Sequence, residues 1–555
     1  MKHLRRALLL LSVMVCGTAA WAQGTLTIGI AAFPTQLHPA IDALATKSYV
    51  LAMARRPVST YDKDWRLVCM LCETLPNLAD GSAREIKRAD GTRTLELTYR
   101  LRDDLFWADG VKVTTKDVRF AWEVGRHPQS GYVNADLYAR QIADIRIVDE
   151  RTFIVTRDKY TCDYAASLTD FSILPAHIEQ KRFAENPAEY RNRNGYQTDP
   201  TNPGLYLGPY RIASLTRGTA LVLERNAHWK GPRPAFDRIT VRAIENTAAM
   251  EAALLSGAID YIAGEGGMPI DQAVALERRF PGRFNVIWQP SLVYAHIDVN
   301  LDNPILRDVR VRRALMLAAD RAQIRQRLLQ ERVVIAHHSL NPLDRHFTDQ
   351  VRQYPGDAKA AEALLEEAGW KRGADGIRVN AKGERLQIEF LAASGNRQVE
   401  LVQQVLQANW RKVGIEARIE QQVARVFFGQ TLDERRFTGL AMFSWLSAPD
   451  SIPRTTLHSS QIPTAENAWA GQNYPGYRDA EMDAILDGLE TQCAPAENAA
   501  LWRRLQEKYA EDLPALPLWF RSDAFFLPKW LQGVEPTGHQ YPTTLWIENW
   551  RRAPS

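Results

Sequence analysis

The stretch LTYRLRDDLFWADGVKVTTKDVRFAWE, Leu97 to Glu123, carries a strand, two turns and a helix start in one run. It continues an alternation that begins at Arg93. In RTLELTYRLR, apolar and polar residues alternate through Arg102, the period of a half-buried strand in an antiparallel sheet. Asp103-Asp104 and Asp109-Gly110 set turns on either side of Leu105-Phe106-Trp107. Thr115 reads as the N-cap of the helix that follows, with Val118, Phe120 and Trp122 facing inward.

Upstream, Gly24 to Ile30 (GTLTIGI) reads as a strand that ends at Phe33-Pro34-Thr35. Before it stands MKHLRRALLLLSVMVCGTAAWAQG. Lys2, Arg5 and Arg6 form a basic start, Ala7 to Val15 an apolar run, and Ala20-Trp21-Ala22 a small-x-small cleavage site. These are the parts of a secretory signal peptide, residues 1–22, with cleavage before Gln23. The apolar run is shorter than the roughly 20 residues a membrane span needs. Val15 before Cys16 argues against lipidation, which needs a small residue there. A soluble, exported, periplasmic protein is expected.

Cleavage would leave 533 of the 555 residues, enough for two or three domains. Losing those three basic residues turns 69 basic and 65 acidic residues into 66 and 65. So even a balance excludes a nucleic-acid or polyanion binder. No later stretch is apolar enough for a second span.

Downstream, strand and helix signals stay mixed, as in an α/β layer. Thr219 to Glu224 and Arg238 to Ile244 are strand-like, and Thr247 to Ser256 is a helix closed by Gly257. Ile259 to Ile262, Arg283 to Gln289 and Val293 to Asn300 are strands. Asp357 to Trp370 is the clearest helix, with Ala361, Leu364, Leu365 and Ala368 on one stripe and Gly369 as its C-terminal cap. Val399 to Val413 is a second, turning Val402, Val405, Leu406 and Trp410 inward. Met482 to Leu489 and Ala500 to Tyr509 are helices, and Leu516 to Phe520 and Ala524 to Leu527 two short closing strands.

Catalytic motifs are missing. Neither GxSxG nor HExxH occurs, and His337-His338 would point to opposite faces of a strand. No cofactor or metal is expected. Cys69, Cys72, Cys162 and Cys493 remain after cleavage. Their pairing does not follow from spacing, and Cys69-x-x-Cys72 reads as structural sooner than as redox or zinc chemistry. Aromatic residues in irregular stretches are more informative: Phe33, Tyr132, Trp445, Trp469, Tyr474 and Tyr477 sit among Gly, Pro and Asn. The loop from Trp445 to Tyr477 is long enough to carry function, and such side chains suit a pocket that grips a ligand by stacking.

The order of motifs resembles the extracytoplasmic solute-binding proteins of family 5, the oligopeptide, dipeptide and nickel-binding components of ABC importers. The resemblance rests on Leu97 to Glu123, Gly208-Pro209-Tyr210, ERNAHWKGPRP (Glu224 to Pro234) and LLSGAIDYI (Leu254 to Ile262). It continues through NLDNPILRDVRVRRALMLAADRAQI (Asn300 to Ile324), the helix at Asp357 and LPALPLW (Leu513 to Trp519). Asp308 and Asp320 flank a basic helix start whose Ala314, Leu315 and Ala318 form a packing stripe. These motifs mark scaffold, so they point to fold and not to ligand.

The resemblance implies an α/β fold of the periplasmic binding protein-like class II (cluster C) type: two main lobes, an extra domain and a hinge cleft. Domain I would comprise 23–50, 171–292 and 515–555, domain II 51–170 and domain III 293–514. Hinge crossings would lie near Ser291 and Pro514. It implies a non-enzymatic monomer that captures a peptide or peptide-like solute and meets ABC permease subunits at the inner membrane. Rivals are the same fold holding a nickel chelate, haem, a murein peptide, an opine or an oligosaccharide, a signalling receptor, and an exported hydrolase.

In peptide-binding members a carboxylate after a Gly/Ser-Trp motif pairs with the peptide's amino group. The matching stretch here is Ser444-Trp445-Leu446-Ser447-Ala448-Pro449-Asp450. Asp450 is the candidate anion, although the family's acid stands where this chain has Ala448. Phe33, Tyr132, Tyr294, Trp445, Gln472 and Asn473 are the other candidate ligand-binding residues.

Overall fold

The computed structural model describes residues 24–553 apart from positions 35, 42, 43, 133, 136, 266, 424, 425, 468 and 470. The leader and its cleavage site lie outside the described residues. Among the described residues no helix is long and apolar enough to cross a membrane.

The N-terminal elements are β1 (Thr25–Ile30), α1 (Ala45–Ala54), β2 (Ala83–Lys87), β3 (Arg93–Arg100), α2 (Thr115–Gly125), β4 (Ile142–Ile147) and β5 (Thr152–Arg157). β2, β3, β5 and β4 form an antiparallel sheet in that order. The alternation of β3 is realised: Leu95, Leu97 and Tyr99 are buried, and Tyr99 stacks on Phe153 of β5 at 5.4 Å. Gly110 closes its turn at φ 90°, where a side chain would be strained.

The cap of α2 is Thr114, one residue before the expected Thr115. The Thr114 hydroxyl accepts from Lys116 N at 3.3 Å, and the Asp117 carboxylate accepts from Thr114 N at 2.8 Å. That reciprocal pair needs an acid three residues after the cap, which only Thr114 has. Thr115 is the first helical residue, and its hydroxyl donates to Asp149 O. Val118, Phe120 and Trp122 are buried as expected.

The chain continues through β6 (Tyr210–Thr216), β7 (Ala220–Arg225), β8 (Arg238–Ala243), α3 (Thr247–Ser256), β9 (Tyr261–Ile262) and β10 (Asn285–Val299). After α4 (Val309–Ala318) come β11 (Gln387–Ala393), α5 (Arg397–Lys412), β12 (Glu416–Gln422) and β13 (Leu440–Leu446). α6 (Ala480–Thr491), α7 (Pro495–Asp512) and β14 (Ala515–Leu527) complete the set needed here. One large mixed sheet runs β12-β11-β13-β10-β14-β9-β1-β8-β7-β6, and a short strand at Val333–Ile335 also pairs with β14.

The paired long strands β10 and β14 join the two halves of this sheet. Each was expected as two short strands. The interruptions are polar or proline residues, Pro290-Ser291 in β10 and Arg521 to Asp523 in β14. The ladder shifts register between Pro290 and Tyr294 but does not end there. Apolar residues form two large separate clusters. One gathers β1, α1, β3, α2 and β6 to β8 around Leu97 and Trp122. The other gathers α4, α5 and β11 around Leu315 and Trp410. Each half of the sheet therefore has a core of its own.

The basic run at α4 is scaffold. Asp308 caps the helix by accepting from Arg310 N, and Ala314, Leu315 and Ala318 are buried. Arg312 is buried too, donating to Leu306 O, Arg307 O and Asp512 O and so tying α4 to the end of α7. Burial pushes its guanidinium down to about 10. Arg312→Ala would strand these carbonyls. It is expected to lower stability by about 3 kcal/mol in urea denaturation, since a buried charged donor is removed from several acceptors.

Both cysteine pairs are disulfides. Cys69–Cys72 closes a local turn, three residues apart, and Cys162–Cys493 links positions 331 residues apart.

Candidate functional site

Side chains alternate along a strand, so Leu292, Tyr294, His296 and Asp298 of β10 share one face. That face lines a cavity of about 310 Å³, while Ile297 and Val299 enter the second core. The neighbouring strand β13 sets Trp445 opposite Tyr294. The rings of Tyr294 and His296 stack at 5.0 Å, Trp445 stacks on Tyr474 at 5.9 Å, and the Tyr294 and Tyr509 hydroxyls meet at 3.0 Å. Burial and the neighbouring Tyr509 push the Tyr294 hydroxyl well up, so it stays a neutral donor.

Among the described residues three carboxylates line this cavity, Asp170, Asp298 and Asp344, and no lysine or arginine does. Asp298 Oδ1 lies 3.2 Å from His296 Nε2, and its buried Oδ2 has no hydrogen-bond partner among the described residues. Asp344 differs: its two oxygens accept from His346 N and Asp450 N at 2.8 and 3.2 Å. Asp170 accepts from the Tyr541 hydroxyl and Gln540 Nε2 at 3.1 and 3.2 Å. Burial pushes the carboxyls of Asp170 and Asp344 above their ordinary range.

A second cavity, about 430 Å³, shares Asp170, Leu446 and Gln540 with the first, so the two adjoin along one cleft. Lys47, Leu51 and Arg55 of the α1 segment line it, facing Glu265, Arg521, Asp523 and His539. Most of its charges are engaged locally. Lys47 donates to His38 O, Arg521 pairs with Asp523 at 2.9 Å, and Glu265 Oε1 accepts from Thr543 N at 2.7 Å, its buried Oε2 having no partner among the described residues. Burial lifts the Glu265 carboxyl and pushes the His539 ring down to about 4.

Of the residues expected from sequence, Tyr294, Trp445 and Gln472 come together on the first cavity. The other four lie outside its lining. Asp450, in left-handed backbone at φ 57°, accepts from Arg345 Nε at 2.9 Å beside His346. Asn473 is fully buried, and its amide holds its own loop by donating to His458 O and Tyr477 O and accepting from Tyr477 N. Tyr132 packs between His38 and Tyr138 in the first core, and Phe33 lies half-buried against that core. Asp344, His346 and Asp450 form the one described group with metal-ligand spacing. Asp450 Oδ1 accepts from Arg345, and both Asp344 oxygens accept from backbone N–H groups.

The sequence reading missed Asp170, His296, Asp298 and Arg55. Two of these had a visible signal: once Val293 to Asn300 is a strand, Tyr294-x-His296-x-Asp298 is a polar face of period two. Asp170 and Arg55 had none, because much of the cleft around them is contributed by distant parts of the sequence.

The family described as Bacterial extracellular solute-binding proteins, family 5 Middle, matches residues 76–463. The oligopeptide-binding protein AppA of Bacillus subtilis is 23% identical over 459 residues, covering 82% of this chain and 80% of its own. An oligopeptide binding protein from Thermus thermophilus, solved with a pentapeptide, superposes with a TM-score of 0.77 at 26% identity over 96% of both chains. NikZ from Campylobacter jejuni, solved with Ni(L-His), superposes with a TM-score of 0.75 at 23% identity over 96% of this chain and 100% of its own.

Proposed function

This chain belongs to the bacterial extracellular solute-binding proteins of family 5, and on that footing we propose that it captures a peptide or peptide-like solute in the cleft for an ABC importer. One observation carries the choice of ligand. The cavity behind Trp445 has three carboxylates, aromatic walls and, among the described residues, no lysine or arginine. Such a site favours an ammonium group. In this reading Asp298, whose Oδ2 is buried without a partner, takes the peptide's amino group, and Tyr294, Trp445 and Gln472 contact the chain beyond it. Asp450, already paired with Arg345, plays no such part. Peptide-named relatives support the ligand class.

The protein acts without chemistry, as a receptor exported by its leader into the periplasm. Its disulfides suit an oxidising compartment. Domain I (23–50, 171–292, 515–555) and domain II (51–170) would move against domain III (293–514) about crossings at Ser291 and Pro514. The shift of register after Pro290 supports a hinge there. The closed, loaded monomer would be the form offered to the permease subunits.

Native mass spectrometry of protein purified from periplasm tests the ligand class. A ladder of short peptides released on denaturation is the expected result; a single non-peptide mass overturns it. Trp445 supplies a stacking wall, so Trp445→Ala should weaken pentapeptide binding by about 2 kcal/mol, roughly thirtyfold, in titration calorimetry.

A further inference from the structure

Two arginines end α1, and the extended backbone there sends them to opposite sides. Arg56 is buried, pairing with Glu548 at 2.6 Å and donating to Ala52 O at 2.7 Å. Arg55 instead lines the larger cavity of the cleft, half-buried. Among the described residues nothing accepts a hydrogen bond from its guanidinium and no carboxylate pairs with it. The carboxylates on the same walls do not pair with it: Asp170 accepts from Tyr541 and Gln540, Asp523 pairs with Arg521, and Glu265 accepts from Thr543 through Oε1 while its buried Oε2 has no partner among the described residues. The titratable groups that bear on Arg55 are the hydroxyls of Tyr196, Tyr138 and Tyr132 and the buried ring of His38, none of them an anion at neutral pH. Burial draws its charge down, an unfavourable state that an incoming anion would relieve.

The cleft thus has two unlike ends. Among the described residues, one cavity holds carboxylates and no lysine or arginine, and the other holds an arginine whose side-chain donors meet no acceptor. Leu446, Asp170 and Gln540 belong to both. We propose that Arg55 is an anion anchor, taking a carboxylate of the bound solute while the solute's cationic end lies in the cavity of Asp298. The guanidinium fork matches a carboxylate through two parallel hydrogen bonds. This inference rests on the solute-binding reading of the cleft and adds to it a polarity and a selected end group. Two sources share that chemistry, the C-terminus of a peptide and a carboxylate of a metal–polycarboxylate chelate.

Calorimetric titration of wild type, Arg55→Gln and Arg55→Lys with penta-alanine, its C-terminal amide and Fe(III)–EDTA separates the outcomes. A matched thermal melt checks that each variant folds. For the peptide arm, wild type should bind the free acid about 100-fold more tightly than the amide. Arg55→Gln should erase that preference by weakening the acid alone, and Arg55→Lys should restore part of it. An unchanged acid-to-amide ratio in Arg55→Gln overturns the anchor, as does equal binding of acid and amide by wild type. If wild type binds the chelate and neither peptide, the peptide reading fails while the anchor stands, provided Arg55→Gln weakens the chelate by a similar factor. Chelate binding indifferent to Arg55→Gln, or no binding of any probe by wild type, rejects it.

Discussion

Asp298→Asn is expected to weaken binding of a free-amine pentapeptide by at least about 100-fold, and to make the empty protein more resistant to heat. The two effects come from one feature. Asp298 is only 3% exposed, and its Oδ2 has no partner among the described residues. A buried carboxylate left half-satisfied costs the empty fold stability, and an amide of the same shape costs less. With a peptide bound, the same oxygen would gain a charge-assisted bond to ammonium. Truncating one side of such a pair costs about 2–5 kcal/mol, which spans the expected loss of affinity. The rival account makes Asp298 a structural partner of His296, 3.2 Å away. That account predicts a lower melting temperature for Asp298→Asn and little change in affinity. Paired titration and thermal melts therefore tell the two apart. An N-acetylated peptide should bind wild type as poorly as the free peptide binds the variant.

Most of the scaffold was legible in the sequence because its signals are local. The helix at Ala358–Glu367 begins at the Asp357 cap and ends beside Gly369 at φ 87°, and the helix at Thr247–Ser256 ends at Gly257 at φ 76°. Caps and glycines of this kind act within one turn. Long strands were less legible. Arg521 to Asp523 breaks the apolar run of β14, yet β10 pairs with it on both sides of the break. Polar residues that face a cleft look, in sequence, like the end of a strand. The site follows the same rule. Trp445 and Tyr294 were found because aromatic residues stand out. Asn473, beside Gln472, looked equally suitable, but its amide is needed to hold the loop that presents Gln472. The pairing of Cys162 with Cys493 was out of reach, since nothing local relates positions so far apart.

That second disulfide carries the other large expected effect. Removing it by the double replacement Cys162→Ala and Cys493→Ala should let the empty protein open wider, release peptide about tenfold faster, and lose roughly 2–5 kcal/mol of stability. Cys162 follows β5 in a segment whose Tyr160 and Tyr164 pack on the first core. Cys493 lies between α6 and α7, which build a cluster of their own around Leu486 and Trp502. The contact there is small: Cys162 N donates to Glu490 O at 2.8 Å and Lys159 pairs with Glu490 at 2.7 Å. Such exposed polar contacts are worth too little to resist hinge rotation by themselves. The covalent bond is another matter. The two halves of the large sheet are already joined through β10 and β14, and under the proposed hinge a third fixed link away from those strands would limit how far they rotate apart. Small-angle X-ray scattering of empty and loaded protein reads this directly. Wild type should show a smaller change in radius of gyration on loading than the double variant. Removing Cys69 and Cys72, which bridge a local turn three residues apart, should leave that change unaltered. Equal changes in wild type and the Cys162/Cys493 variant, with equal peptide release, would mean that the link stabilises the fold without setting the aperture of the cleft.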